Sequence, residues 1–283
     1  MTTPSSRTAV LDRPDAPTSG DLSFPRIVAS EWIRFRSLRS NLWVLLITVA
    51  TMVFVSVLIG WAATTEDAGE QPTGTAASLV TSGISLGQLT VAVLGVLTIT
   101  GEYTTGMIRS TMTAVPRRLP VLWARVVVLA AVVAVVSAIG VALSHLATLP
   151  FQSEVGVTLD LSDGETLRIL LGTSLFLATI AVFALAIGSL VRNSAGGLAI
   201  VLGILLVIEN IFAVIPMTFF QNVGAFLPAT AGGRLLMESE TLAMVAETST
   251  TPQLTPWQGY AVMLAWVVLA LAAAAALLRR RDV

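Results

Sequence analysis

The chain contains no cysteine, no lysine and a single histidine, His145. Without lysine it has neither a Walker P-loop nor a Schiff-base residue, so it is not a conventional ATPase. Without cysteine it forms no disulfides or thiolate metal sites, and one histidine cannot build a His-Glu-x-x-His zinc site. We therefore predict no catalytic residue, metal or cofactor on this chain. We expect His145 to be an interfacial or bundle-facing polar residue.

Charged residues are also scarce, at 12% of 283 residues, whereas 55% of the residues are hydrophobic. A soluble protein of this size would need more polar surface. The apolar residues form six stretches, each close to the roughly 20 residues with which a helix crosses the hydrocarbon. These stretches are Leu42 to Trp61, Leu79 to Thr100, Val121 to Leu143, Leu167 to Leu190, Gly197 to Ile215 and Trp257 to Leu278. We predict an all-α integral membrane protein with six transmembrane helices.

The segments that connect the stretches alternate in charge. Arginines precede the first stretch and follow the second, fourth and sixth, whereas the other three connections are acidic. Because basic loops stay in the cytoplasm, both termini are predicted to be cytoplasmic. This distribution does not suggest nucleic-acid binding. All sixteen basic side chains are arginine, and Ala, Val and Gly are abundant, which indicates a GC-rich bacterial genome and hence the bacterial cell membrane.

Two segments precede the first stretch. Residues 1–22 are rich in Pro, Ser and Thr and are predicted to be a disordered cytoplasmic tail. Residues 24–41 show helical periodicity, and we predict an amphipathic helix in the cytoplasmic interface, with Glu31 as an exception within its apolar stripe. This helix is either a basic anchor that fixes the topology or a docking element for a cytoplasmic partner. Its expected interfacial residues are Trp32, Arg34, Phe35 and Arg36.

The connection at residues 101–118 is too long for a simple hairpin and too polar to span a membrane. It reads GEYTTGMIRSTMTAVPRR. A short helix over about residues 106–115 would place Ile108, Met112 and Val115 on one face. Such an exposed apolar knob in the cytoplasm requires a groove on another protein.

The same residues carry a resemblance to a family. Glu102, a T-x-G-[MIT]-[IL]-R-S-T run and then Pro-Arg-Arg are similar to the loop of ATP-binding cassette type 2 permeases, whose coupling helix fits a cleft on a separate ATPase subunit. The resemblance extends from the interfacial helix through the sixth stretch, and only residues 1–22 lie outside it. It implies that a second permease copy, or a related permease, completes a dimer and that two ATPase subunits hold ATP and Mg. The coupling residues it implies are Glu102, Gly106, Ile108, Arg109 and Met112.

The region between the fifth and sixth stretches, residues 216–256, contains an apolar fragment that is too short to span a membrane and too apolar for a free loop. This fragment comprises Phe219, Phe220, Val223, Ala225, Phe226 and Leu227, and it is broken by Gly224 and Pro228. Permeases of the type 2 family have short re-entrant helices here on the outer side, so the resemblance implies a re-entrant hairpin. The alternative is an amphipathic lid that lies on the outer leaflet.

Among the polar residues of the apolar stretches, Gln88, Glu209 and Asn210 are the candidates for a translocation pathway or a buried polar site. An unpaired carboxylate about 13 residues into the fifth stretch is costly, so Glu209 must face a cavity, a partner or the re-entrant segment. Two roles remain open for Glu209 and its neighbour Asn210. The acid is either a structural partner of the outer hairpin or a group that handles substrate or protons. Gln88 supports a weaker form of the same argument.

These features together predict the permease subunit of an ATP-binding cassette type 2 transporter that exports a hydrophobic compound, lipid or peptide. ATP hydrolysed by the partner subunits would drive the loop and switch access at the permease dimer interface. Two other classes stay open. A secondary transporter driven by an ion gradient would use Glu209 as its proton site and should show paired broken helices. An intramembrane lipid-modifying enzyme would need clustered acids, histidines or metal ligands.

Overall fold

The computed structural model describes residues 23–65, 74–105, 118–248 and 252–280. Helices account for 87% of these residues and none of them lies in a strand, which confirms the all-α prediction. Within the described chain, six helical segments are long and apolar enough to cross a membrane, and each contains or overlaps one predicted stretch. They are Arg39–Ala63, Ala76–Gly101, Leu119–Val155, Gly164–Val191, Ser194–Val214 and Pro256–Leu277.

The described helices are numbered in chain order. They are α1 (Phe24–Ser37), α2 (Arg39–Ala63), α3 (Ala76–Thr81), α4 (Ile84–Thr105), α5 (Arg118–Val155), α6 (Gly164–Val191), α7 (Ser194–Leu202), α8 (Glu209–Val214), α9 (Thr218–Gly224), α10 (Pro228–Gly233), α11 (Ser239–Thr248) and α12 (Pro256–Arg280). A π-helical turn, Gly203–Ile208, joins α7 to α8. A 3-10 turn, Arg234–Leu236, follows α10.

Helix α6 is the central helix of the bundle. In the apolar part of this helix 78% of the residues are buried inside the protein, against 17 to 50% in the other five spanning segments. It packs against α4, α5 and α12, and its core residues Leu177, Ile180 and Phe183 are almost completely buried. The Asp163 carboxylate accepts hydrogen bonds from the backbone amides of Glu165 and Thr166 and so caps the helix N-terminus.

Helices α4 and α6 form the most extensive helix pair, and small residues let their backbones approach closely. A Cβ atom on Gly95 would collide with the backbone carbonyl of Ala181. One on Gly188 would press against Ile99 and the backbone of Val96. The glycines are therefore required by the distance between the two helices.

Three element boundaries differ from the sequence predictions. The interfacial helix ends at Ser37, because Leu38 is extended and a new helix starts at Arg39, so residues 39–41 belong to the first spanning helix. The third spanning helix continues to Val155, well beyond Leu143. The second spanning segment is interrupted at residues 82–83, where Gly83 lies against the backbone of Met52.

Two predicted segments cannot be compared with the structure. The tail at residues 1–22 lies outside the described residues, as does most of the loop at residues 101–118. Helix α4 ends at Thr105 and α5 begins at Arg118, so the two helices that carry this loop are both defined.

Candidate functional site

A buried ion pair connects the interfacial helix to the third spanning helix. Helix α1 packs mainly on α5, and the Arg125 guanidinium donates two hydrogen bonds to the Glu31 carboxylate. Nε lies 3.1 Å from Oε2, and Nη2 lies 3.2 Å from Oε1. Only 8% of Glu31 and 3% of Arg125 is exposed. A bidentate ion pair of this kind fixes the orientation of both side chains as well as their distance.

A second arginine, Arg34 of α1, also contacts Glu31. Arg34 Nη1 lies 3.5 Å from Glu31 Oε1, one helical turn along the same face. Burial and the nearby charge of Arg125 lower the pKa of Arg34, while Glu31 acts in the opposite direction. These three residues together carry one net positive charge, and we call them the basic cluster.

Four helices meet at the basic cluster. Asn41 at the start of α2 donates from Nδ2 to the carbonyl of Phe35 at 3.2 Å, which closes the bend between α1 and α2. A void of about 10 Å³ lies among them, close to the least volume that holds one water. Its lining includes Thr98 from α4 as well as the cluster itself. Helices α1, α2, α4 and α5 therefore share one polar contact region.

The basic cluster lies near the base of the loop at residues 101–118. Thr98 precedes the end of α4 at Thr105 by seven residues, and Arg125 follows the start of α5 at Arg118 by seven. Seven residues of helix rise about 10 Å. A displacement of the loop would thus reach the cluster through two short lengths of helix.

The four predicted interfacial residues have different surroundings. Phe35 is buried, Arg34 is half-buried, and Trp32 and Arg36 are exposed. The buried line of α1 is Ile27, Glu31 and Phe35. Glu31, the exception in the predicted apolar stripe, thus lies on the face of α1 that contacts the bundle.

Sequence reasoning missed Arg125. Two signals pointed to it: an arginine inside the third apolar stretch, and an acid inside the apolar stripe of α1. Burying a single charge in an apolar environment costs free energy. An acid and an arginine that both lie in apolar segments are therefore expected to pair.

Glu209 is 9% exposed, and both of its carboxylate oxygens accept hydrogen bonds from α10. The Ala229 amide donates to Oε1 at 2.8 Å, and the Thr230 hydroxyl donates to Oε2 at 3.0 Å. The carboxylate thereby caps the first turn of α10, within the region predicted to be the outer hairpin. This hydrogen bonding agrees with the structural alternative for Glu209.

The π-helical turn ends immediately before Glu209 and shifts the face that the following residues present. Asn210 is exposed, and its Nδ2 donates to the Leu206 carbonyl of its own helix at 2.7 Å. Gln88 is half-buried in α4. Gln88, Glu209 and Asn210 therefore have different surroundings.

The segment between the fifth and sixth spanning helices is tied to the start of α6. Arg168 donates to the carbonyls of Leu235 at 2.6 Å and Met237 at 2.8 Å. Glu165 accepts from the Ser239 amide at 2.6 Å and from its hydroxyl at 2.5 Å. These bonds hold short helices against the central helix; the re-entrant hairpin itself remains a prediction.

His145 belongs to a small polar group on α5. It is half-buried, and its Nδ1 lies 3.3 Å from Nε2 of Gln152, which also donates to Thr148 Oγ1 at 2.8 Å. In the described part of the chain no group of three or more His, Cys, Asp or Glu side chains is placed to hold a metal.

Comparison with known proteins found no matching family model and no significant match among curated proteins. Of the predicted coupling residues, Glu102 lies in the last turn of α4. Gly106, Ile108, Arg109 and Met112 fall outside the described residues. The coupling role therefore stays a prediction from the loop sequence.

Proposed function

We propose that this chain is the membrane-spanning permease subunit of a bacterial ATP-binding cassette type 2 transporter. It exports a hydrophobic compound, lipid or peptide, and separate subunits that hold ATP and Mg supply the energy. Two copies, or this chain and a related permease, form the pathway, and both termini lie in the cytoplasm. The six apolar helices and the loop motif from Glu102 to Arg118 support this proposal.

The observation that carries the proposal is the position of the basic cluster at the base of the loop. A coupling loop is useful only if its movement reaches helices that are fixed to one another. The pair of Glu31 and Arg125 joins α1 to α5, and Thr98 of α4 borders the same void. A push on the loop would therefore move α4, α5 and α1 together.

The proposed mechanism is a rigid-body movement rather than a chemical reaction. Closure of the ATPase subunits displaces the loop, and Ile108 and Met112 transmit the force through an apolar contact. Separating Glu31 from Arg125 would break two buried hydrogen bonds between opposite charges, so α1 follows α5 instead of detaching. The movement ends in a change of access at the permease dimer interface.

The direct test uses a candidate P-loop ATPase, co-expressed with the tagged permease and itself without a tag. We expect the ATPase to copurify with the tagged permease and ATP hydrolysis in proteoliposomes to rise with some members of a panel of hydrophobic compounds, lipids and peptides. Transport by this chain alone, driven by a proton gradient, would contradict the proposal and favour a secondary transporter. Chemical conversion of a lipid without transport would favour an intramembrane enzyme.

A further inference from the structure

A cavity of about 250 Å³ lies between the end of the fifth spanning helix and the short helices that follow it. Its polar lining comprises Glu209 from α8, Gln221 from α9, Thr230 from α10 and Arg234. Thr230 is exposed, so the cavity reaches the protein surface. The volume is slightly below that of pockets for drug-sized ligands, roughly 300–1,000 Å³. It suits a small polar group rather than a complete lipid.

Arg234 gives this cavity a positive side. The residue is only 6% exposed, and among the described residues its guanidinium donates to two neutral acceptors, the carbonyls of Leu254 at 3.2 Å and Pro252 at 3.4 Å. Among the described residues no carboxylate forms an ion pair with it. A guanidinium has five N–H donors, and a buried charge is costly without a counter-charge. Within the described chain, the positive charge of Arg234 is therefore not neutralised by an ion pair.

Glu209 gives the same cavity a negative side. Its oxygens accept hydrogen bonds from Ala229 and Thr230 of α10. Glu209 and Arg234 line one cavity without forming an ion pair with each other. The cavity thus presents two separated opposite charges, which complement a ligand that carries both.

The surface beside the cavity is strongly apolar. Val214 at the end of α8, Met217 just before α9 and Phe219 in the first turn of α9 are 78%, 59% and 66% exposed. Exposed apolar residues grouped in this way mark a surface for lipid or another apolar partner. Acyl chains could lie on this surface while a headgroup occupies the cavity, an arrangement that a water-soluble zwitterion would not use.

We propose that this cavity binds the headgroup of a zwitterionic phospholipid, with its phosphate on Arg234 and its ammonium group on Glu209. The site is distinct from the loop that couples to the ATPase. The site would bind lipid whether or not the chain exports lipid. The test of this site therefore does not depend on transport.

The test is calorimetric titration of the full-length protein in detergent with three probes. Dihexanoyl phosphatidylethanolamine carries both charges, dihexanoyl phosphatidylglycerol carries only the phosphate, and free phosphoethanolamine lacks the acyl chains. The variants are Arg234→Gln and Glu209→Gln. Arg168→Gln is the matched control, because Arg168 also donates to two backbone carbonyls of this region but does not line the cavity.

We expect Arg234→Gln to weaken binding of both lipids about tenfold or more, as loss of a charge-assisted contact does. Glu209→Gln should weaken binding of the phosphatidylethanolamine and leave that of the phosphatidylglycerol unchanged. The control should bind both lipids like the wild type.

Unchanged binding in Arg234→Gln would overturn the proposal. Equal affinity of the wild type for phosphoethanolamine and the short-chain lipid would overturn the lipid assignment. If Arg234→Gln does not fold, the preference for phosphatidylethanolamine decides: the same preference in the wild type and in Glu209→Gln would contradict the site.

Discussion

Replacing either partner of the Glu31–Arg125 pair should lower the stability of the protein, by an amount that depends on which partner is replaced. Arg125→Met leaves Glu31 with Arg34 as its remaining nearby cation, whereas Glu31→Leu removes the carboxylate that both the buried Arg125 and the half-buried Arg34 contact. We expect both changes to destabilise the protein, Glu31→Leu more strongly, by about 3–5 kcal/mol, the usual cost of removing one partner of a buried ion pair. Thermal unfolding in detergent measures the difference.

The matched control for this pair is Arg36→Gln, because Arg36 is an exposed arginine on the same helix. We expect it to unfold like the wild type. The double variant Glu31→Leu with Arg125→Met should recover much of the loss, since the buried arginine is then removed together with its carboxylate partner. Single variants as stable as Arg36→Gln would show that the ion pair does not hold α1 on the bundle.

Glu209 allows a second test at the level of a single side chain. Glu209→Gln keeps an acceptor for the Ala229 amide, whereas Glu209→Leu leaves that amide and the Thr230 hydroxyl without their acceptor. Each unsatisfied group costs about 1–3 kcal/mol when it is buried. We expect the Leu variant to give clearly less monodisperse protein by size-exclusion chromatography, and the Gln variant to approach the wild type.

Asn210→Leu is the control for Glu209, since Asn210 is exposed and bonded only to its own helix. It should give wild-type amounts of folded protein. Equal folded yields of Glu209→Leu and the wild type would contradict a structural role for the carboxylate. Loss of transport in Glu209→Gln at full expression would instead favour substrate or proton handling.

At the scale of elements, the contact between α4 and α6 depends on the absence of one side chain. A methyl group at Gly95 would meet the carbonyl of Ala181, and backbone atoms cannot move aside as a flexible side chain can. Gly95→Ala should therefore lower stability by about 1–3 kcal/mol, the usual cost of overpacking. The measurement is the midpoint of thermal unfolding in detergent.

Gly203→Ala provides the matched comparison, because no atom outside its own helix lies within 4 Å of the added methyl group. This change should leave the unfolding temperature unchanged or slightly higher, since alanine has the better helix propensity. Equal effects of the two substitutions would mean that α4 and α6 are not packed as closely as described.

Local periodicity explains why the spanning helices were predictable and their interruptions were not. Long apolar runs located all six spanning segments. The interruption at residues 82–83 depends on a contact between Gly83 and Met52, which are distant in sequence. The bend at Leu38 depends in part on Asn41 bonding back to Phe35, and the π-helical turn before Glu209 left no periodic signal. Interactions between elements, rather than local preferences, decide these features.

The residues of the candidate site were also predictable only in part. Glu209 was recognised in the sequence because a single carboxylate in an apolar run requires a partner, and its bonds to α10 agree with one of the two roles considered. The partner of Glu31 was not recognised, because Arg125 lies 94 residues away and only the packing of α1 on α5 brings them together. Charge in an apolar context reveals that a partner exists, whereas the fold determines which residue it is.

For the whole molecule, the alternation of loop charges predicts a topology that cysteine labelling can test. Single cysteines replacing Ser5, Thr113 or Asn193 should be shielded from an impermeant thiol reagent in intact cells. Single cysteines replacing Thr73, Ser162 or Ser249 should react. The chain has no native cysteine to interfere. Strong labelling of the Thr113 position from outside would contradict both the topology and the coupling assignment.

The most direct test of the permease proposal is the double variant Ile108→Asp with Met112→Asp. If these residues anchor the loop in a cleft of the ATPase, two charges there should weaken ATPase copurification and abolish ATP-dependent transport, since loss of an apolar hot spot costs about 2 kcal/mol or more. Membrane insertion should be unchanged, because the loop lies outside the spanning segments.

The matched control is Ser110→Asp with Thr113→Asp, which adds the same charge to the opposite face of the predicted loop helix. The proposal predicts normal copurification and transport for this control and loss of both for Ile108→Asp with Met112→Asp. If the latter variant binds its ATPase and transports like the wild type, the loop only connects two helices and the permease assignment is contradicted.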